Sequence, residues 1–491
     1  MPPVILSSDS HVFEPPDLWQ TRIDAPFRDR APRIQRIDGT DQIVVEADQI
    51  LSGIGLISNA GARFEAPETI SAQGRFEDVH RGGYDPEQHL KDMALDGVSG
   101  EVLYPSQGLF YFKVADAALM SAIFRAYNDW LAEFCRADPA RLKGIAMINL
   151  DDIPDAIREL ERAARLGLAG AMITEYPFED RRYDQAEYEP FWAAAAALDL
   201  PLSLHTATRR QGKIRGVGDM TLRDASSRAT KAFYPALSMC DLILSGVFER
   251  HPRLTVAVVE FELAWAPHVL STMDYTYRER QGEAIYRFKD AMLPSDFFHR
   301  NIVLGFQEDA IGIRLRDVIG VDNMMWGSDY PHSESTFPQS KKILAQILAG
   351  VPDDEQAKIV GGNTAREAPG GPAEGFYSMS PASYRYPDDP RPAARAFATK
   401  FKQTFGIDPN YLGEAGYTAA SFSVAALEKA GRDLTLDSFI AGMESMKDWH
   451  DVFEGPPLSL SSTNHHASNQ SFLSVVKDTR WVPVLQEPLS F

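Results

Sequence analysis

The sequence predicts an α/β protein built on a (β/α)8 TIM barrel, with an insertion after the first strand and a small α/β fragment at the carboxyl end. Three observations point there. Eight short β-rich apolar runs alternate with helical patterns over roughly the first three quarters of the 491 residues. No run opens into a glycine-rich phosphate loop, which weighs against the open doubly wound sheet that is the alternative. Acids and histidines stand where several runs stop, at the carboxyl ends of strands, and that is where such a barrel carries its chemistry.

In chain order the strands read Val4–Ser8, Glu101–Pro105, Gly144–Leu150, Ala169–Thr174, Leu202–Thr206, Leu254–Phe261, Ile302–Phe306 and Met324–Ser328. A helix lies where Leu119, Ile123, Tyr127, Trp130, Leu131 and Phe134 recur at three- and four-residue spacing, which builds one buried stripe. Another covers Asp155–Leu166 and stops at Gly167, a glycine placed to cap it. Glu14 to Tyr84 interrupts the alternation; "DQIVVEADQI" within it reads as hairpin material, so this stretch is expected to be an insertion over the barrel mouth.

The barrel is expected to occupy residues 1–366, followed by a Gly/Pro-rich linker at 367–375 and a separate piece at 376–491. That last piece reads as helices at Ala393–Phe405, Gly416–Ala430 and Thr435–Met446, then short strands at "PLSLSS", "SFLSVV" and "RWVPVL".

Composition narrows the function. A formal charge of -20, from 49 basic and 69 acidic side chains, lacks the basic footprint that phosphate backbones require, so a small molecule is the expected partner and nucleic acid is not. Cys135 and Cys240 are the only cysteines and read as free buried thiols of a reducing compartment. No membrane-length apolar stretch or signal-peptide pattern appears, so a cytoplasmic protein without a membrane partner is expected. The sequence leaves self-association open.

The candidate chemistry follows from what the strands end in. The first leads into Asp9 and His11, two apart and therefore on one face of an extended chain. The fifth ends in His205, the sixth in Glu260 and the eighth in Asp329. Each alone has an ordinary structural account as a cap, a core histidine or an arginine partner. Together, imidazoles and carboxylates at one rim suit one divalent ion, with zinc leading and manganese or iron open. Such an ion lowers the pKa of its water from about 16 to about 7 and polarises a substrate oxygen. His332, three residues beyond Asp329, should face the mouth as a proton shuttle, a substrate-orienting group or a solvated loop residue. His80, His89, His251, His299, His450, His465 and His466 read as ordinary helix, loop or tail residues.

Several stretches, in order from about residue 4 to 366, carry a resemblance: "DSHVFEPPDLW", "YDPEQHLKDMALDGVSGEVLYPS", "RAYNDWLAEFC", "LPLSLHTAT", "SGVFERHPRLTVAVVEFELAW", "MMWGSDYPHSEST" and "IVGGNTARE". This part of the chain resembles the amidohydrolase-related branch of the amidohydrolase superfamily, which includes aminocarboxymuconate-semialdehyde decarboxylase and other non-oxidative decarboxylases. The resemblance implies a metal-dependent hydrolase or carboxy-lyase for a small carboxylated or aromatic-derived metabolite, with one metal on Asp9, His11, His205 and Asp329. On the chain's own residues, Glu260, His332 or Asp329 would handle protons, Asp329 serving as acid or base if it is not a ligand. The carbamylated lysine of binuclear members is missing, since the fourth strand ends in Thr174 and Glu175. There is one departure: the decarboxylases tend to carry a histidine at the end of the sixth strand, where this chain has Glu260.

The tail, through "ARAFATKFKQTFGIDPNYLGEAGYTAASFSVAALEKAGRDLT", "FIAGMESMKDW" and "GPPLSLSSTNHHASNQSFLSVVKDTRWVPV", resembles the carboxyl-terminal part of type I periplasmic amino-acid-binding proteins of ABC importers. It covers only the last third or so of such a protein. The chain thus reads as a fusion, and the alternatives to an enzyme are an amino-acid-like binding module or a fusion that has lost catalysis.

Overall fold

The computed structural model describes residues 3–210, 225–289, 291–367, 377–380, 391–405, 411–453, 455–465, 467–477, 480–484 and 489–490. Eight parallel strands alternate with helices: β1 (Leu6–Val12), then, after an insertion holding β2 (Arg33–Ile37), β3 (Thr40–Val45) and β4 (Gln49–Gly53), come β5 (Gly100–Pro105), β6 (Leu142–Met147), β7 (Gly170–Thr174), β8 (Leu202–His205), β9 (Val256–Val259), β10 (Ile302–Phe306) and β11 (Met324–Trp326). Their order in the sheet is β1-β5-β6-β7-β8-β9-β10-β11, each strand lying beside its predecessor, as right-handed β-helix-β units dictate.

The first and last strands meet at a seam. Ser8 Oγ donates to the carbonyl of Trp326 at 3.0 Å, and Ser328 N–H donates to Ser7 Oγ at 2.9 Å. Just beyond, Asp329 N–H donates to the Asp9 carbonyl at 2.8 Å and His11 N–H to the Tyr330 carbonyl at 2.6 Å. These bonds bring β1 and the segment after β11 together, and the expected (β/α)8 barrel is the fold found.

Strand limits differ from expectation where polar residues are involved. The first strand was expected to stop at Ser8, yet β1 runs through Asp9 and His11 to Val12. Backbone pairing overrides the turn tendency of Asp9, because its neighbours find ladder partners on β5, with a bulge between Ser7 and Ser10. β9 stops at Val259 rather than at Phe261, since Glu260 takes a left-handed φ of 67° that no ladder accommodates.

The helix Ala117–Cys135 buries all six residues of the predicted stripe. The helix Ile153–Leu166 ends at Gly167, whose φ of 85° is the left-handed cap conformation. In the insertion, "DQIVVEADQI" supplies the β3–β4 hairpin, and β2 adds a third antiparallel strand. The insertion meets the loop after β11: Ser333 N–H donates to the Leu56 carbonyl at 3.0 Å and Ser333 Oγ to Gly55 at 2.9 Å.

The chain divides into two units, Met1–Pro372 and Ala373–Phe491. Residues 368–375 of the expected linker, and His466, lie outside the described residues. In the second unit, helices Pro392–Phe405, Tyr411–Ala430 and Leu436–Glu444 accompany a sheet of β12 (Tyr377–Ser380), β13 (Gln470–Lys477), β14 (Arg480–Pro483) and β15 (Leu489–Ser490). "SFLSVV" and "RWVPVL" become β13 and β14, but "PLSLSS" forms only isolated bridges, Trp449–Leu458 and Ser461–Asn464. Ser461 Oγ there accepts Asn464 N–H at 3.0 Å, a local side-chain bond that competes with a ladder. Phe422, Met446 and Leu460 form a small core of this unit.

Candidate metal centre

Parallel pairing keeps register partners on one face. His11 pairs with Tyr104 on β5 and, across the sheet, Thr174 of β7 pairs with His205 of β8. The His11, Tyr104 and His205 rings turn to a common interior point, Tyr104 lying 4.8 Å from His205 and His11 lying edge-on 5.1 Å from His205. Tyr104 is itself fixed by Ser203 Oγ at 2.9 Å.

Around that point the charged atoms gather. His11 Nε2 lies 3.3 Å from Asp9 Oδ1 and 3.2 Å from Asp329 Oδ1. His205 Nε2 lies 3.3 Å from Asp9 Oδ1 and 3.8 Å from Glu260 Oε2. Asp9, His11, His205 and Glu260 offer donor atoms that all lie within 4.8 Å of one another, and His11, Asp329 and His332 form a second such group sharing His11. All five of the sequence-predicted centre residues therefore converge. Asp329 joins through His11 and His332, while Glu260 stands closer to the Asp9, His11 and His205 set than the resemblance implied.

The residues fit a divalent ion. His11 Nδ1 sits 2.9 Å from the Pro105 carbonyl, a contact that requires its proton and leaves Nε2 as the free lone pair. Among the described residues, His11 Nε2 and Asp329 Oδ1 are buried without a well-aligned hydrogen bond, although they lie near each other. Two ligands each about 2.1 Å from one ion stand roughly 3–4 Å apart, the spacing found here. An imidazole and carboxylate set of this kind suits zinc or manganese.

Electrostatics separates the acids. Burial opposes ionisation of Asp329, but the neighbouring His332 and His11 hold its carboxyl well below the usual range. Asp9 is likewise lowered, its burial outweighed by His11 and His205. Glu260 goes the other way: burial, and next the charge of Asp329, push it well above the ordinary value. Burial would keep His11 neutral, yet Asp329 and Asp9 together raise it well above its usual value, so the position attracts positive charge. Glu260 and Asp329 both hold left-handed φ values, 67° and 60°, a strain that surrounding structure must over-determine.

His332 is buried rather than loop-solvated. Its ring stacks on His11 with centroids 3.8 Å apart, Nε2 lies 3.0 Å from Ser106 Oγ, and Nδ1 lies 2.8 Å from Asp329 Oδ1. Sequence reasoning missed Ser106 and Tyr104. Their signal was faint: both belong to "EVLYPS", where a tyrosine and a serine flank the proline that ends the second barrel strand.

Other histidines have ordinary partners, as expected: His89 Nε2 lies 2.6 Å from Glu101, His80 2.9 Å from Asp92 and His251 2.9 Å from Glu189. Both cysteines are free. Among the described residues no helix is long and apolar enough to cross a membrane.

Comparison with known proteins agrees with this architecture. Residues 70–366 match the amidohydrolase family, and residues 349–480 match the periplasmic binding protein family. The chain is similar to the gamma-resorcylate decarboxylase of Rhizobium sp., 27% identical over 286 residues that cover 55% of this chain and 85% of that protein. Among solved structures, an amidohydrolase from Mycobacterium avium subsp. paratuberculosis superposes with a TM-score of 0.62 at 19% identity, covering 75% of this chain and 100% of the other. A 5-carboxyvanillate decarboxylase from Novosphingobium aromaticivorans, complexed with manganese and 4-hydroxy-3-methoxy-5-nitrobenzoic acid, does so with a TM-score of 0.53 at 20% identity, covering 74% and 96%. At such identities the superpositions speak for the fold. The family match spans more than half of the sequence, and the chain belongs to the amidohydrolase family, with a periplasmic-binding-protein-like segment joined to its barrel.

Proposed function

We propose that the barrel is a metal-dependent carboxy-lyase that removes carbon dioxide from a small aromatic carboxylate. One observation carries this reading: two carboxyl groups stand at one mouth in opposite surroundings, Asp329 3.2 Å from His11 and 2.8 Å from His332, which lower its proton affinity, and Glu260 3.8 Å from His205, with burial and the charge of Asp329 raising its own. The likeness to decarboxylases of aromatic acids supports the reaction class.

In this reading Asp9, His11, His205 and the ionised Asp329 hold one divalent ion, zinc or manganese. When bound, that ion supplies a Lewis acid that draws in the substrate's carboxylate and an adjacent oxygen. Buried walls, among them Tyr104 at 2% exposure, exclude water around the reacting bond. Glu260 Oε2 holds the proton. As the bond between ring carbon and carboxylate breaks, its electron pair stays on the ring carbon, which takes that proton while carbon dioxide leaves. Glu260 recovers a proton from solvent through its partly exposed side chain.

Hydrolysis of a lactone or amide is the second reading, favoured by a carboxyl group where the resemblance leads one to expect a histidine. The two free thiols support a cytoplasmic setting, and residues 376–491 are read as an appendage to a barrel of residues 1–366.

The test is to incubate the full chain, its metal content measured, with panels of aromatic acids and of lactones and amides. Carbon dioxide from an aromatic acid is the expected result. Acid release from a lactone or amide with no carbon dioxide from any acid would replace the lyase by a hydrolase. Stabilisation by free amino acids alone, with no turnover, would favour the binding module.

A further inference from the structure

The residue after Asp329 is tied down by a group that the proposed reaction does not use. Tyr330 is buried, and its phenol donates to Asp92 Oδ2 at 2.6 Å, across 238 positions of sequence. Asp92 lies on the helix Pro86–Asp96 and is buried as well. Gln88 Nε2 donates to its other oxygen at 2.8 Å, and His80 Nε2 lies 2.9 Å from Oδ2. Burial opposes ionisation of Asp92, but His80, Tyr330 and Gln88 outweigh it and hold the carboxyl below its usual range. An ionised carboxylate only accepts, so the phenol is the donor.

The tether is closely built. The Tyr330 ring is T-shaped to His80 and His89, with centroids 5.7 and 5.1 Å away, and Phe337 is tilted against it at 4.9 Å. A Cβ on residue 82 would come 2.0 Å from the phenol oxygen and 2.2 Å from Asp92 Oδ2, so the chain passes this pair only as Gly82. One turn further along the same helix face, Asp96 Oδ1 accepts the Ser340 N–H at 2.9 Å. The helix therefore grips the segment after β11 at two points, Tyr330 and Ser340.

Tyr330 in turn holds the centre through its main chain. Its carbonyl accepts the His11 N–H at 2.6 Å, and the residue before it, Asp329, donates its N–H to the Asp9 carbonyl at 2.8 Å. Asp329 keeps a left-handed φ of 60°, a conformation that its neighbours must enforce. We propose that Tyr330 is a positioning residue: the bond from its phenol to Asp92 fixes the backbone that links Asp329 to His11, so a hydroxyl outside the centre sets the centre's affinity for its ion. The consequence for affinity rests on the metal reading of the centre; the tether itself rests on the geometry of Tyr330, Asp92 and His11.

The experiment has two arms on the full chain. It compares wild type with Tyr330→Phe, which removes only the phenol oxygen, and with Gln88→Ala, which removes a different bond to Asp92. Gly82→Ala, whose methyl displaces the phenol, replaces Tyr330→Phe if that variant does not fold. In the first arm, amide hydrogen exchange is followed on protein stripped by chelation. Peptides containing His11 should exchange about tenfold faster in Tyr330→Phe and at the wild-type rate in Gln88→Ala. Unchanged exchange in Tyr330→Phe, or equal acceleration in both variants, overturns the tether. In the second arm, the stripped proteins are titrated calorimetrically with Mn2+. Tyr330→Phe should bind roughly tenfold more weakly and Gln88→Ala within about twofold of wild type, the lower end of the range for a group that supports a metal ligand from behind. Equal affinity of wild type and Tyr330→Phe, or an equal loss in both variants, overturns the positioning role, because a general loosening of the helix affects both alike. No uptake of Mn2+ or Zn2+ by wild type overturns the metal reading instead, and hydrogen exchange then decides the tether alone.

Discussion

The backbone N–H of Asp329 donates to the carbonyl of Asp9 at 2.8 Å, tying the residue that follows the last barrel strand to one on the first. The two acids, 320 positions apart in sequence, are thereby held at one point of the seam. Gly327 makes this approach feasible, since a Cβ there would meet the Asp9 Cβ at 2.4 Å and its backbone N at 3.0 Å. Gly327→Ala should therefore cost about 1–3 kcal/mol of stability by overpacking and lower the bound metal as Asp9 is displaced. Thermal unfolding with metal analysis checks both; a variant of wild-type occupancy would contradict this account of the seam.

Metal should depend on the histidine more than on the proton carrier. His11→Ala is expected to reduce bound ion from about one per chain to near none, because the lone-pair ligand is lost. Elemental analysis of the purified variants reads this directly.

Glu260→Gln separates the two carboxylates. It should retain most of the ion yet lose carbon dioxide release by about 10²–10⁴-fold, the scale of a missing general acid. Asp329→Asn should lose the ion itself. The opposite pattern, metal lost in Glu260→Gln and kept in Asp329→Asn, would exchange their roles.

Stability should depend on pH through an acid away from the centre. Glu175 is buried at 6% exposure, and burial pushes its carboxyl up to about 7, offset only in part by Lys113 and Arg209. An acid raised in the folded state binds its proton more tightly there than in the unfolded chain. Its stabilising contribution is complete below about 4.5 and is lost as pH rises through about 7. Glu175→Gln should remove that part of the decline, on the order of 3 kcal/mol at most. Denaturant midpoints of both proteins from pH 5 to pH 8 test it, and parallel curves would refute it.

The units should separate on cleavage. The chain passes from one to the other at Pro372–Ala373, and the barrel's own core is contained before that point. Limited proteolysis near Gly370 is expected to leave an amino-terminal fragment that keeps its metal and its turnover. Loss of both on cleavage would show that the barrel needs the appended segment.

What the sequence determined by itself is the material of each element: eight apolar runs for the barrel, the Leu119-to-Phe134 stripe, the Gly167 cap, and acids and imidazoles at strand ends. Those signals are local, arising from side-chain spacing and backbone preference within a few residues. Only the tertiary structure carried β1 past Asp9 and His11, because the bonds that extend it come from residues nearly a hundred and more than three hundred positions away. Only it separated Glu260 from Asp329 by proton affinity, and only it brought Ser106 behind His332. Burial and the nearest opposite charge set these properties, and both belong to neighbours in space, which no spacing along the chain records.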